Sequence, residues 1–123
     1  NSASDAATEA SRLLALHGGA AGVRDTALLQ SALARPRQVA AYARTPGIID
    51  MAAAYTAGIV RNHPFIDGNK RTGFVVGVLF LELNGYRFTA SEEDAAQAVL
   101  GLAAGTLDEQ GYAAFLRENA SFL

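Results

Sequence analysis

The chain has no cysteine and no tryptophan, only three prolines and a single methionine in 123 residues. Without cysteine, neither a disulfide framework nor a thiolate metal site is available, and a reducing cytoplasm is the expected compartment. There is no excess of one charge either. Ten lysines and arginines against twelve acidic residues leave a net charge of −2. That excludes nucleic-acid binding through bulk positive charge, while a local basic pocket remains open to the chain. Long apolar runs are missing as well. The longest, Gly73 to Leu81, is broken by Glu82, whereas a membrane span needs roughly 20 residues. The N-terminus lacks the charged-then-apolar pattern of a leader, and starting at Asn1 it reads as a processed, trimmed or tagged end.

What is present suits one all-α domain spanning residues 1–123. Half of the residues are apolar, enough for a core without covalent staples. Ala3–Leu16 reads as a helix rich in Ala and Leu, stopped by His17-Gly18-Gly19. After a small, glycine-rich loop at 18–24, Asp25 or Thr26 caps a second helix, Ala27–Ala34, which Pro36 is expected to end. Residues 37–47 read as a surface excursion: Val39 to Tyr42 suits a short helix or a strand, and Arg44-Thr45-Pro46-Gly47 a turn. Ile48–Asn62 is helical, with small residues at 52–54 and 57 that suit close packing. Lys70–Leu83 is so apolar after its start that burial on every side is expected, and Gly73 and Gly77, four apart, invite a neighbouring backbone. Asn84-Gly85 is a C-terminal stop and Tyr86-Arg87-Phe88 at most a short extended link. Ser91-Glu92-Glu93-Asp94 resembles a capping box and opens a helix to Ala104. Thr106-x-x-Glu109 is a second capping box, for a last helix to about Asn119. The expectation is about six helices around a buried Lys70–Leu83.

The chemistry is concentrated between His63 and Gly73, where an imidazole, a carboxylate, an amide and two cations precede the most apolar helix. A polar turn entering a helix presents free backbone N–H groups and the positive end of the dipole to an anion. Lys70 and Arg71 would oppose that dipole, so their place at a helix start is unfavourable unless an anion offsets them. Alone, His63 reads as a cap or surface residue; with Asp67 four residues on, it is a candidate general base for a hydroxyl. Asp67 is either a helix cap or a Mg²⁺ ligand, the latter because Mg²⁺ takes one or two carboxylates beside phosphate oxygens and water. Gly68 lets a phosphate approach the main chain. Asn69 is an N-cap, or its amide orients a phosphate or the loop itself. Phe65 reads as an apolar anchor. The spacing is not that of a Walker A loop or a kinase glycine-rich loop.

From His63 to Arg71 the chain resembles the Fic signature H-x-F-x-D-G-N-x-R, in the lysine-bearing form His-Pro-Phe-Ile-Asp-Gly-Asn-Lys-Arg-Thr found in death-on-curing (Doc) toxins. Gly22-Val23-Arg24-Asp25 with Leu28-Leu29 and Ala32-Leu33-Ala34-Arg35-Pro36, and Phe80-Leu81-Glu82-Leu83-Asn84-Gly85-Tyr86, resemble further Doc-like segments, so the likeness covers most of the chain from Gly18 onward. It implies an all-α Fic-fold bundle with a short flap at residues 37–47 that docks the target as an added strand. It further implies His63 as the catalytic base, Asp67 as metal ligand, Gly68 and Asn69 as anion-hole positions, and Lys70 and Arg71 as phosphate-contacting cations.

The chain departs from the fuller Fic motif, which ends in G-R-x-x-R. Lys70 replaces a glycine, and Phe74 stands where the last arginine would be. The resemblance therefore implies a Doc-like toxin that transfers the γ-phosphate of Mg·ATP, bound reversed, to a protein hydroxyl. Elongation factor Tu is the family's target, and a Phd-like antitoxin is the inhibitor, since no self-inhibitory S/T-x-x-x-E-[GN] helix is found. The alternatives are an adenylyltransferase, or a Fic-like module that grips a nucleotide or an antitoxin without turnover.

Overall fold

A computed structural model of the chain describes residues 23–42 and 47–122. The helix expected at Ala3–Leu16 lies outside the described residues. Among those described there are five helices and two short strands: α1 (Thr26–Tyr42), α2 (Ile48–Asn62), α3 (Asn69–Leu83), β1 (Tyr86–Phe88), α4 (Glu92–Ala104), α5 (Glu109–Asn119) and β2 (Ala120–Phe122). The architecture is all-α, as expected.

Helix α1 starts where Asp25 Oδ1 accepts the Leu28 N–H at 3.0 Å. It does not stop before Pro36 but runs through it to Tyr42. The stretch expected to be a flap is therefore helical to residue 42, and 43–46 fall outside the described residues. Proline has no N–H to give the Ala32 carbonyl four residues earlier, and an interior proline costs a helix about 3 kcal/mol. Packing overrides that local penalty. Leu29, Ala32 and Leu33 are buried against the core, and α2 comes so close that a Cβ on Gly58 would stand 3.2 Å from both Ala32 Cα and Ala32 O.

The innermost element is α2 rather than α3. Ten consecutive residues, Met51 to Val60, are buried, and α1, α3, α4 and α5 all pack against this helix. Its alanines, Gly58 and Thr56 are small enough for neighbours on every side. Helix α3 buries one face, Asn69, Thr72, Gly73, Val76, Gly77, Phe80 and Leu81, while Val75 and Leu83 are exposed. The expectation of all-round burial is thus corrected: apolar composition marked α3, but its outer side walls a cavity and stops short of a second layer. Gly73 and Gly77 do admit a neighbouring backbone. Built Cβ atoms there would lie 3.2 Å from Thr56 O and 3.1 Å from Ala52 O, and the buried Thr56 hydroxyl donates to Gly73 O at 2.8 Å.

Tyr86–Phe88 is more than a link. It pairs antiparallel with the chain's last described segment, in register Tyr86↔Phe122, Arg87↔Ser121 and Phe88↔Ala120. Phe88 then sets its ring edge-on to Phe74 and Phe115, with centroids 5.7 and 6.0 Å apart. Helix α4 begins at Ser91, whose hydroxyl accepts the Asp94 N–H at 3.1 Å, and ends at left-handed Gly105. Helix α5 is capped by Asp108, which accepts the Gly111 N–H at 2.7 Å, rather than by the expected Thr106. A carboxylate one residue before the helix meets the N2–N3 donors, and Thr106 turns back to Gly101 O at 3.4 Å. No helix among the described residues is long and apolar enough to cross a membrane.

Candidate active site

The site lies at the junction where α2 ends and α3 begins. His63 is the C-cap of α2, with its backbone left-handed at φ 49°, ψ 53°. The loop then dives: Pro64 and Phe65 are buried, Phe65 with 1% of its surface exposed. This is the anchoring role expected of Phe65. Ile66 and Asp67 come back to the surface. Gly68 turns through φ 78° as the N-cap of α3. Its carbonyl accepts the first intrahelical bond, from Thr72 N–H at 2.8 Å. The N–H groups of Asn69, Lys70 and Arg71 precede that bond, so the helix itself supplies them no acceptor.

Asn69 is not the N-cap. It is buried, and its amide grips the loop. Nδ2 donates to Phe65 O at 2.9 Å, and Oδ1 accepts the Phe65 N–H at 2.9 Å. This two-way bond fixes which end of the amide is which, since the flipped form would lose both. The same Nδ2 stands 3.4 Å from His63 Nδ1, a contact too long to set the ring's tautomer. The fold thus brings His63 and Asn69 together.

Asp67, Lys70 and Arg71 are all exposed, and Lys70 and Arg71 line one cavity. The first turn of α3 carries no acidic residue, so the helix N-terminus and both cations add to one positive field. The donor set fits the groups implied by the motif. An exposed carboxylate two residues before a helix start that carries two cations is a donor set that Mg²⁺ and phosphate could share. No cluster of three or more His, Cys, Asp or Glu exists among the described residues.

Two features were not visible in the sequence. A cavity of about 490 Å³ opens directly beside the cations, walled by Phe74, Val78, Phe88, Val99 and Leu100 with Lys70 and Arg71 on its lining. It is assembled from α3, β1 and α4, elements that no local pattern relates. The other is Arg24, just ahead of α1. Its guanidinium donates to His63 O from Nε at 2.9 Å and from Nη2 at 2.7 Å. Motif spacing cannot report a contact across 39 residues of sequence.

The loop joins α2 and α3, two helices packed closely along their length, and comparison with known proteins gives the class. The chain belongs to the Fic/Doc family: the family's sequence model, Fic/DOC, matches residues 4–81. Toxin Doc of Mycolicibacterium smegmatis is 43% identical over 77 residues, which cover 59% of this chain and 57% of that protein. Protein kinase doc of Escherichia phage P1 is 31% identical over 112 residues, covering 85% of this chain and 88% of that protein.

Proposed function

We propose that the protein is a Doc-type toxin that transfers the γ-phosphate of ATP to a hydroxyl of a protein target, with elongation factor Tu as the expected target. The observation that carries the reading is the junction itself: an exposed imidazole, a carboxylate, a left-handed glycine and two cations at a helix start without a side-chain cap, all within nine residues of a loop that a buried asparagine ties at Phe65. The relatives' names, Toxin Doc and Protein kinase doc, support it.

In this reaction the hydroxyl oxygen attacks the γ-phosphorus, the bond from that phosphorus to the departing ADP breaks, and His63 takes the hydroxyl proton. The N–H groups at the start of α3, with Lys70 and Arg71, hold the phosphate oxygens. Asp67 would hold a Mg²⁺, which supplies charge neutralisation at the phosphates. The apolar cavity beside Lys70 and Arg71 lies within the usual size of a small-ligand site, and it suits the nucleoside end. With the nucleoside there, the phosphate chain would run toward the N-terminus of α3, the end of that helix that follows His63 in the chain. Phe74, in the place of an arginine, suits an apolar wall and not a phosphate grip. A toxin of this type would act in the cytoplasm under a separate Phd-like antitoxin.

The test is incubation with elongation factor Tu and ATP labelled at either the α or the γ position. The expected result is γ-label on the target, lost with His63→Ala. Transfer of α-label instead would establish adenylylation, and γ-label persisting in His63→Ala would overturn the assigned base.

A further inference from the structure

We propose that Arg24 is a positioning residue for His63, holding its backbone in the conformation that aims the imidazole; the catalytic consequence rests on the proposed phosphotransfer. His63 is the single non-glycine residue with positive φ among those described. That region is disfavoured for a residue with a side chain. The next residue is Pro64, whose ring steers its predecessor toward extended backbone. His63 is therefore held against two local preferences, and something outside the loop must hold it.

The segment 23–25 does so. Both donors of the Arg24 guanidinium fork converge on His63 O, at 2.9 and 2.7 Å. A longer contact reaches Asn62 O at 3.4 Å. The Arg24 and Asp25 N–H groups both donate to Pro64 O, at 2.7 and 3.1 Å, and Val23 makes a strand-like bridge to Phe65. Asn62 Nδ2 returns a bond to Leu28 O at 3.1 Å. The entrance of α1 is thus stapled to the exit of α2 on both sides of His63. Arg24 also brings a positive charge to the negative end of α2, where it is favoured. The opposite side of the loop is held by Asn69, so the imidazole projects from a turn clamped at both ends.

A helix cap that only stabilises α2 predicts a lower melting temperature and nothing more. A positioning residue predicts an effect that runs through His63. Arg24→Lys keeps the charge but not the planar fork, and Arg24→Gln keeps a donor without charge. The expected result in both is a kcat for label transfer lower by about tenfold to a hundredfold, as small displacements of a reacting group produce, with KM for ATP within about twofold. In a His63→Ala background the same substitutions should lower the residual rate no further, because the two residues act as one unit. A readout independent of turnover is the ring resonance of His63. The chain has two histidines, so His17→Gln leaves one signal, which should be a single sharp line with Arg24 and shifted or broadened in both variants. Unchanged kcat with an unchanged resonance overturns the proposal. A wild-type protein without transfer activity but with the Arg24-dependent resonance would overturn the phosphotransfer reading and leave the clamp standing. If either variant melts below the assay temperature, the other and the spectrum at lower temperature decide the matter.

Discussion

Replacing Gly77 by alanine puts a methyl group where α2 and α3 cross. The new Cβ would fall inside the contact distance of Thr56 Oγ1 and 3.1 Å from Ala52 O. Neither neighbour yields easily: one is backbone, and the other is a short side chain whose hydroxyl is bonded to Gly73 O. Alanine gains about 1 kcal/mol over glycine in helix propensity. Against this stand about 1–3 kcal/mol of overpacking and about 1–2 kcal/mol for disturbing a buried hydroxyl's hydrogen bond. The expected net loss is about 2 kcal/mol, roughly 5–10 °C in Tm for a chain of this size. Urea and thermal unfolding followed by circular dichroism measure it. Gly105→Ala is the internal reference. Its Cβ would meet nothing within 4 Å, although φ is +82°, so only the backbone cost of about 1 kcal/mol applies. Adding Thr56→Ala to Gly77→Ala should recover part of the loss, because the space is returned. A Gly77→Ala protein as stable as wild type, or more stable than Gly105→Ala, would refute the packing argument. There is a functional arm too. His63 caps the end of α2, and Lys70 and Arg71, the proposed phosphate grip, lie in the first turn of α3, so a wedge between these helices should lower the proposed transfer activity even at temperatures where the variant is folded.

Asn69→Ala removes both bonds to the Phe65 backbone and should cost about 2 kcal/mol or more; transfer activity assayed well below Tm should fall further than stability does. Asp108→Ala should cost about 1 kcal/mol as the loss of an N-cap, while Thr106→Ala costs less than about half of that in the same urea titration. Burial pushes the Tyr112 phenol up from 10.0 to about 12. The folded value is the raised one, so this contribution is complete below pH 10 and is lost as the pH rises through about 12. The loss is about 3 kcal/mol for two units, read as the difference between wild-type and Tyr112→Phe unfolding curves from pH 9 to 12. Parallel curves for the two proteins would refute it.

How far the sequence was readable follows from how far apart the determinants lie. The spans of α2 to α5, the Ser91 cap and the glycine contacts of α3 were legible because each depends on residues within a turn or two of one another. The candidate residues of the loop could be picked out for the same reason, since imidazole, carboxylate, amide and cations sit in one short stretch. Pro36 misled because its cost is local, whereas the packing that overrides it comes from Leu29, Ala32, Leu33 and the approach of α2 at Gly58. Thr106 misled because a capping box and an adjacent aspartate look alike until one N–H is seen to choose. Phe88 could not reveal that it would pair with Ala120.

Phe74 is where these two kinds of information meet. In the sequence it registers as a missing arginine, a loss at one end of a motif. In the fold it is an apolar wall, half-buried and held edge-on by Phe88, which in turn is held by strand pairing and by Phe115. An arginine here would have to leave its guanidinium among these rings or swing it out toward Lys70 and Arg71, where a third cation adds repulsion. The residue therefore does not stand as a simple deletion of charge. It belongs to a wall built from β1 and α4, and under the proposed reaction it turns the far end of the phosphate site into a place for an apolar group. Restoring the motif by Phe74→Arg alone should then fail to convert the transferred label from γ to α, because the surrounding cavity would still receive the nucleoside.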